Sequence, residues 1–254
     1  MHVNPELTRN LWLEVTPHRL LLMPVVILAS AALVHVPDPT NTVVRPLALL
    51  GFMLFTLVWG ARLAANSVLD EARDHTWDIQ RMSALSPWAM TWGKLAGATS
   101  MAWYGGGWCL AVYLASGQGD DLRPRLATAA LATLLAIMAQ AGALLGALVG
   151  LHRGRRVQAR LSNVLVVVLL IGVVPRAFSL PDAAAVLTWF GAMFDGLEFA
   201  LAASAFYAGW ALLGATRAMS AELKVRSWPA CWIAFPLSTA VFAAGFMVVA
   251  LTWR

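Results

Sequence analysis

At 254 residues, 60% hydrophobic and 12% charged, with a mean hydropathy of +0.70, the chain carries more apolar surface than a soluble domain of this length can bury. That excludes a soluble globular fold and points to an all-α integral membrane protein. The formal charge of +5 does not call for a nucleic-acid partner, because membrane orientation accounts for the Lys/Arg excess, and the two cysteines, Cys109 and Cys231, lie far apart inside apolar runs, which indicates neither a disulfide framework nor a cysteine metal site.

The chain opens with Asn4 as a helix cap and Pro5 at the first helical position, an arrangement that starts helices well. Leu7, Leu11 and Val15 fall on one side, and Pro17 ends the segment, so residues 1–19 are expected as a short interfacial helix feeding the first span. Runs near the roughly 20 apolar residues of a spanning helix then recur seven times: Leu20–Val36, Pro46–Asn66, Leu95–Ser116, Leu126–Leu151, Leu161–Leu180, Leu197–Met219 and Pro229–Thr252. Ala29-Ser30-Ala31 resembles a signal-peptidase site, but the long preceding region carries Glu6 and Glu14 and the apolar run continues to Val36. With the N-terminus inside, 13 of the 18 Lys and Arg face the cytosol and 5 the other side, which predicts an N-inside bundle of six to seven spans in the cytoplasmic (inner) membrane, in contact with membrane lipids.

Ser67–Lys94 is the longest polar interruption between two strongly apolar runs. Ser67 and Asp70 have capping-box spacing, and Val68, Ala72, Thr76 and Ile79 recur at helical spacing with Asp70, Glu71, Asp74 and Asp78 mostly off that stripe. Pro87 then disfavours helix at its predecessor. An amphipathic helix over residues 67–93, lying on the bilayer or on a soluble partner, is the expectation.

In the third span, Gly105-Gly106-Gly107 either packs closely against another helix or kinks the span beside a cavity. Gly142, Gly146 and Gly150 in the fourth form a small-residue ridge for a neighbouring helix of this chain or of a second copy, and Gln140 is a lone amide that needs a partner in hydrocarbon. The arginine cluster around 152–160 suits anionic headgroups. Arg176 is expected near the outer interface, and residues 181–196 read as an outer re-entrant or interfacial segment, whose Asp195 and Glu198 are either hydrated or line an exit path with Gln140. Pro236 is tolerated in the last span, flanked by Trp228, Trp232 and Trp253 as interfacial anchors.

No phosphate loop, H-E-x-x-H or G-x-S-x-G motif is present, and the five histidines are scattered. The chain therefore reads as a non-enzymatic conduit or scaffold with no catalytic, cofactor or metal site of its own.

The polar segment resembles the loop after the second span in permease subunits of type-2 ABC exporters. Glu71 stands at that family's acidic start, Thr76-Trp77-Asp78 at its Thr-Leu-Glu, Leu85-Ser86 at its Leu-Ser, and Gly93-Lys94 at the Gly-Lys opening the third span. His75 replaces the family's usual glycine and Ala84 its proline. The resemblance implies a coupling helix docking on a separate ATPase subunit that holds ATP and Mg²⁺, contacted by Asp70, Glu71, Asp74, Thr76, Trp77 and Asp78, with a second permease copy or homologue completing the membrane part. It also implies an outer re-entrant hairpin and six spans where the sequence reads as seven. The competing expectations are a membrane scaffold that recruits a soluble protein and a membrane-embedded lipid or peptide enzyme.

Overall fold

A computed structural model describes residues 4–37, 40, 42–82, 85–117, 121–152, 186–225 and 230–251. They are mostly helical, with four helices long and apolar enough to cross a membrane. After α1 (Pro5–Glu14), α2 (Pro17–His35) is the first of these. The second is one 30-residue rod, Val44–Arg73, made of α3 (Val44–Met53), a π-helical turn (Leu54–Trp59) and α4 (Gly60–Arg73). A short helix α5 (Trp77–Arg81) follows, and the third apolar run is built as α6 (Pro87–Ala98) and α7 (Ser100–Ala115), joined at Thr99. Next come α8 (Leu122–His152), a hairpin of β1 (Val186–Trp189) and β2 (Ala192–Asp195), α9 (Gly196–Glu222) and α10 (Ala230–Leu251), whose apolar stretch, Ile233–Phe246, is short for a span. The expected run Leu161–Leu180, Arg176, most of the arginine cluster and the anchors Trp228 and Trp253 lie outside the described residues.

Local rules place the helix starts. Asn4 accepts from Glu6 N–H, Pro5 and Pro17 each open a helix, and Ser86 caps α6 by accepting from Ala89 N–H with Pro87 at its start. The Ser67 capping box does not form. Ser67 lies inside the rod and its hydroxyl donates to Ala64 O, because the second span continues past the apolar stretch to Arg73. Residues 67–93 are thus the polar end of one helix, the separate five-residue α5 and the start of α6.

Two proline- or bulge-freed carbonyls are capped across the bundle. Pro24 cannot donate to Leu20 O, four residues earlier, and the Tyr104 hydroxyl donates to that oxygen at 2.9 Å. In the π-helical turn Gly60 N–H reaches back five residues to Phe55 O; four-residue spacing resumes after it, so Thr56 O is skipped.

α8 packs between α4 and α9, largely on alanine. Ala132, Ala136, Ala139, Ala143 and Ala147 meet Leu57, Ala61 and Ala65, while Ala141, Leu144 and Leu148 meet Ala215 and Met219. The glycine ridge is offset from this seam: Gly142 and Gly146 are half-buried and Gly150 is buried. Gly105 and Gly106 of α7 pack rather than kink, while Gly107 is exposed. α7 is continuous through them, and a Cβ on Gly106 would lie 2.7 Å from Thr56 Cγ2.

Within the segment expected to be outer re-entrant or interfacial, the described residues 186–195 form a β-hairpin. Phe190 and Gly191 both have positive φ, 49° and 79°, the turn of a tight two-residue hairpin, with Val186 opposite Asp195 and Trp189 opposite Ala192. Trp189 Nε1 donates to Phe242 O at 2.9 Å and Phe190 N–H to Gly245 O at 2.9 Å, holding the hairpin against α10 amid Phe194, Phe199 and Phe246.

Candidate functional site: a buried charge ring under a short polar helix

At the end of the bundle where α1, α4, α5, α6 and α9 meet, Lys94 is completely buried. Its ammonium lies 3.2 Å from Glu6 Oε1 and 2.5 Å from Glu71 Oε2, and donates to Ser67 O at 3.1 Å. Arg9 pairs with Glu71 and lies 3.6 Å from Glu6, closing a four-membered ring of alternating charge and zero net charge. Such a ring meets the requirement that buried charges be paired and hydrogen-bonded. Gln80 donates to Glu71 Oε1 at 2.6 Å, and the Lys94 Nζ sits 5.5 Å from the Trp77 ring centroid.

The ring forms because α1 lies directly on α6. Cβ atoms on Gly93 and Gly97 would each come within 2.6 Å of a carbon of α1, at Glu6 and Asn10 respectively, so only glycine permits this approach. Asn4 Nδ2 donates to Ala89 O at 2.6 Å and Asn10 Nδ2 to Gly93 O at 3.3 Å. Hence α1 turns Glu6 and Asn10 inward, and its expected apolar stripe of Leu7, Leu11 and Val15 is only half-buried. Trp12 and Leu13 project away from the protein, as a helix lying in the bilayer interface requires.

α4 ends with a Schellman-type bond from Thr76 N–H to Glu71 O at 3.0 Å across His75 at φ 57°. His75 therefore takes the left-handed conformation that glycine takes most easily, at the position where the resembled family has glycine. Trp77, first residue of α5, is buried among Val68, Met90, Leu144, Leu148, Ala215 and Met219, and Arg81 Nε donates to Glu222 O at 2.9 Å. Of the expected partner contacts, Asp70, Asp74, Thr76 and Asp78 are exposed, but Glu71 and Trp77 face inward and serve the ring and the core. The exposed apolar residues beside the acids are Ile79 and Met82.

The expected path residues are not brought together. Gln140 is buried mid-bundle, where its Nε2 donates to the skipped Thr56 O at 2.9 Å and its Oε1 accepts from Trp103 Nε1 at 3.0 Å. Asp195 and Glu198 stand at the far end, where Glu198 meets Arg123 at 3.2 Å with both side chains exposed. Gln140 follows Arg123 by about 26 Å along α8 at 1.5 Å per residue.

Sequence reasoning assigned no site role to Glu6, Arg9 or Gly97, and named Lys94 only as part of the Gly-Lys pair, without its burial or its partners. The Gly93-x-x-x-Gly97 spacing with a lysine beside its first glycine was the available signal. Among the described residues no group of acidic, histidine and cysteine side chains is arranged to hold a metal. The fold and site define a helical membrane protein with a charge ring closed around a buried lysine at one end. Comparison of the chain with protein-family models, with curated proteins and with solved structures finds no match to any of them.

Proposed function

We propose that this chain is the permease subunit of an ATP-driven exporter of the type-2 ABC kind, in the inner membrane with its N-terminus and α5 in the cytosol. A separate ATPase subunit supplies ATP and Mg²⁺ chemistry, and a second permease copy completes the membrane part. One observation carries this reading: α5 is small, with Asp78 and the apolar Ile79 exposed, but rooted inside. Trp77 enters a core shared by α4, α6, α8 and α9, Gln80 holds Glu71, and Arg81 holds the end of α9. A push on α5 is thereby transmitted as rigid-body motion to several spans. The left-handed turn at His75 supports the same reading, since it is the conformation glycine takes most easily, at the position where the resembled loop carries glycine. A passive scaffold needs the exposed side of α5 but has no use for that rooting.

Asp78, Ile79 and Met82 are the exposed contacts for the ATPase, with Asp70, Asp74 and Thr76 around them. The test is co-purification of an ATPase with the tagged full chain. Asp78→Arg combined with Met82→Asp is expected to release it while the permease stays folded. Retention of a bound ATPase by that variant, or its absence from the wild-type complex, overturns the proposal. Trp77→Ala does not serve as this test because it also excavates the core.

A further inference from the structure

The buried positions of the second span recur every four residues: Phe52, Thr56, Gly60, Ala64 and Val68 face inward, as do Met53, Leu57, Ala61 and Ala65. Phe52 and Val68 are sixteen residues apart, and an uninterrupted α-helix, at about 100° per residue, would carry such a stripe about 160° round the rod. The π-helical turn absorbs one residue and removes about 100° of that drift. One stripe therefore stays inward, and Glu71, three residues after Val68, reaches Lys94. The turn is held from outside: Gln140 donates to the skipped Thr56 O and is itself fixed by Trp103. The amide reaches that oxygen only because position 60 is glycine, since a Cβ there would lie 2.5 Å from Gln140 Nε2.

Without that amide the backbone has a second way to pair. Trp59 N–H takes Phe55 O, Gly60 N–H moves to Thr56 O, and the turn becomes α-helix with no carbonyl skipped. Every residue of α4 then moves into the place its successor holds now. The inward places of Ala61, Ala64, Ala65 and Val68 pass to Gly60, Leu63, Ala64 and Ser67, all uncharged, and the place of Glu71 passes to Asp70, a second acid. A shift in the opposite sense would bring Arg62 inward. We infer that the π-helical turn is a register joint: with Gln140 on Thr56 O, Glu71 faces Lys94, and on release α4 turns by about 100° and puts Asp70 there instead. Gln140 is the positioning residue that selects the first register. It thereby couples the middle of the bundle to the charge ring, since Glu71 lies eleven residues after Gly60, about 16 Å along α4. The inference concerns this chain alone and does not depend on an ATPase partner.

The experiment measures, on the full chain in detergent, the shift of the thermal midpoint caused by Glu71→Gln and by Asp70→Asn in several backgrounds. In the wild type Glu71→Gln is expected to lower it by about 5 °C or more, because the buried ammonium loses a charge partner. Asp70→Asn should leave it within about 1 °C, because the pair of Asp70 with Arg73 is exposed. Gly60→Ala, which displaces the Gln140 amide without changing it, and Gln140→Leu should each invert that order, making Asp70→Asn the costly change. Deleting Val58 leaves Gly60 four residues after Phe55, in a continuous α-helix with Glu71 still in place. In that chain Glu71→Gln should remain the costly change even when combined with Gln140→Leu. A Glu71→Gln loss that is the same in the wild-type, Gly60→Ala and Gln140→Leu backgrounds overturns the inference. Loss of both charge dependences in the two variants also overturns it, since α4 then disengages without changing register, and so does an inversion that persists after Val58 is deleted.

Discussion

Lys94 is held by two carboxylates, a carbonyl and an indole face, and once the ammonium is gone the two carboxylates are left to share the exposed Arg9. Removing one partner from a buried ion pair costs about 3–5 kcal/mol, because the opposite charge remains behind without water. Lys94→Met is therefore expected to destabilise the protein by that order, read as a lowered thermal midpoint in detergent, whereas Lys94→Arg should keep most of the stability by preserving the charge. Equal loss from both would show that shape, and not charge, holds the site. The same residue shows the limits of reading a sequence. Position 94 was legible as the Gly-Lys at the start of a span, but its burial and its pairing with Glu6, 88 residues away, depend on α1 folding back onto α6.

At the scale of the elements, backbone groups freed by local geometry are answered by side chains from other helices. Gln140→Leu leaves Thr56 O and Trp103 Nε1 without their partner, for an expected cost of about 1–3 kcal/mol, with faster amide exchange confined to residues near 56–61. Unchanged exchange there would mean that the π-helical turn needs no cap. The turn between α4 and α5 makes a second test. His75 at φ 57° bears the strain of a left-handed conformation that glycine does not bear, so His75→Gly is expected to be neutral or to stabilise by up to about 1 kcal/mol. His75→Val should destabilise, since a branched Cβ resists that conformation. A Val variant as stable as Gly would place the turn in some other geometry.

For the whole molecule, the two ends are built differently. One end gathers α1, α5 and the ends of α4 and α9 around paired charges, and the other is closed by aromatic rings, where Trp189 of the hairpin reaches α10. Trp189 lies against Gly245 with no room for a side chain, so Gly245→Leu is expected to dislodge the indole and raise amide exchange over residues 186–195 without altering the charge ring. Loss of protection at both ends together would instead make the bundle one cooperative unit.

The amino-acid sequence by itself determined the membrane class and the helix start at Pro5, whereas Pro17 and Pro87, read as stops, each open a helix in the structure. Hydropathy over about 20 residues and proline's fixed backbone act locally and need no partner. It also placed the apolar runs that became the long helices, though not the point at which the second one stops. Tertiary structure alone decided which polar groups go inside. Glu6, Glu71, Lys94 and Gln140 look like surface or isolated residues in a linear reading, and Glu6, Lys94 and Gln140 are buried and Glu71 half-buried because a residue distant in sequence supplies the opposite charge or the missing hydrogen bond.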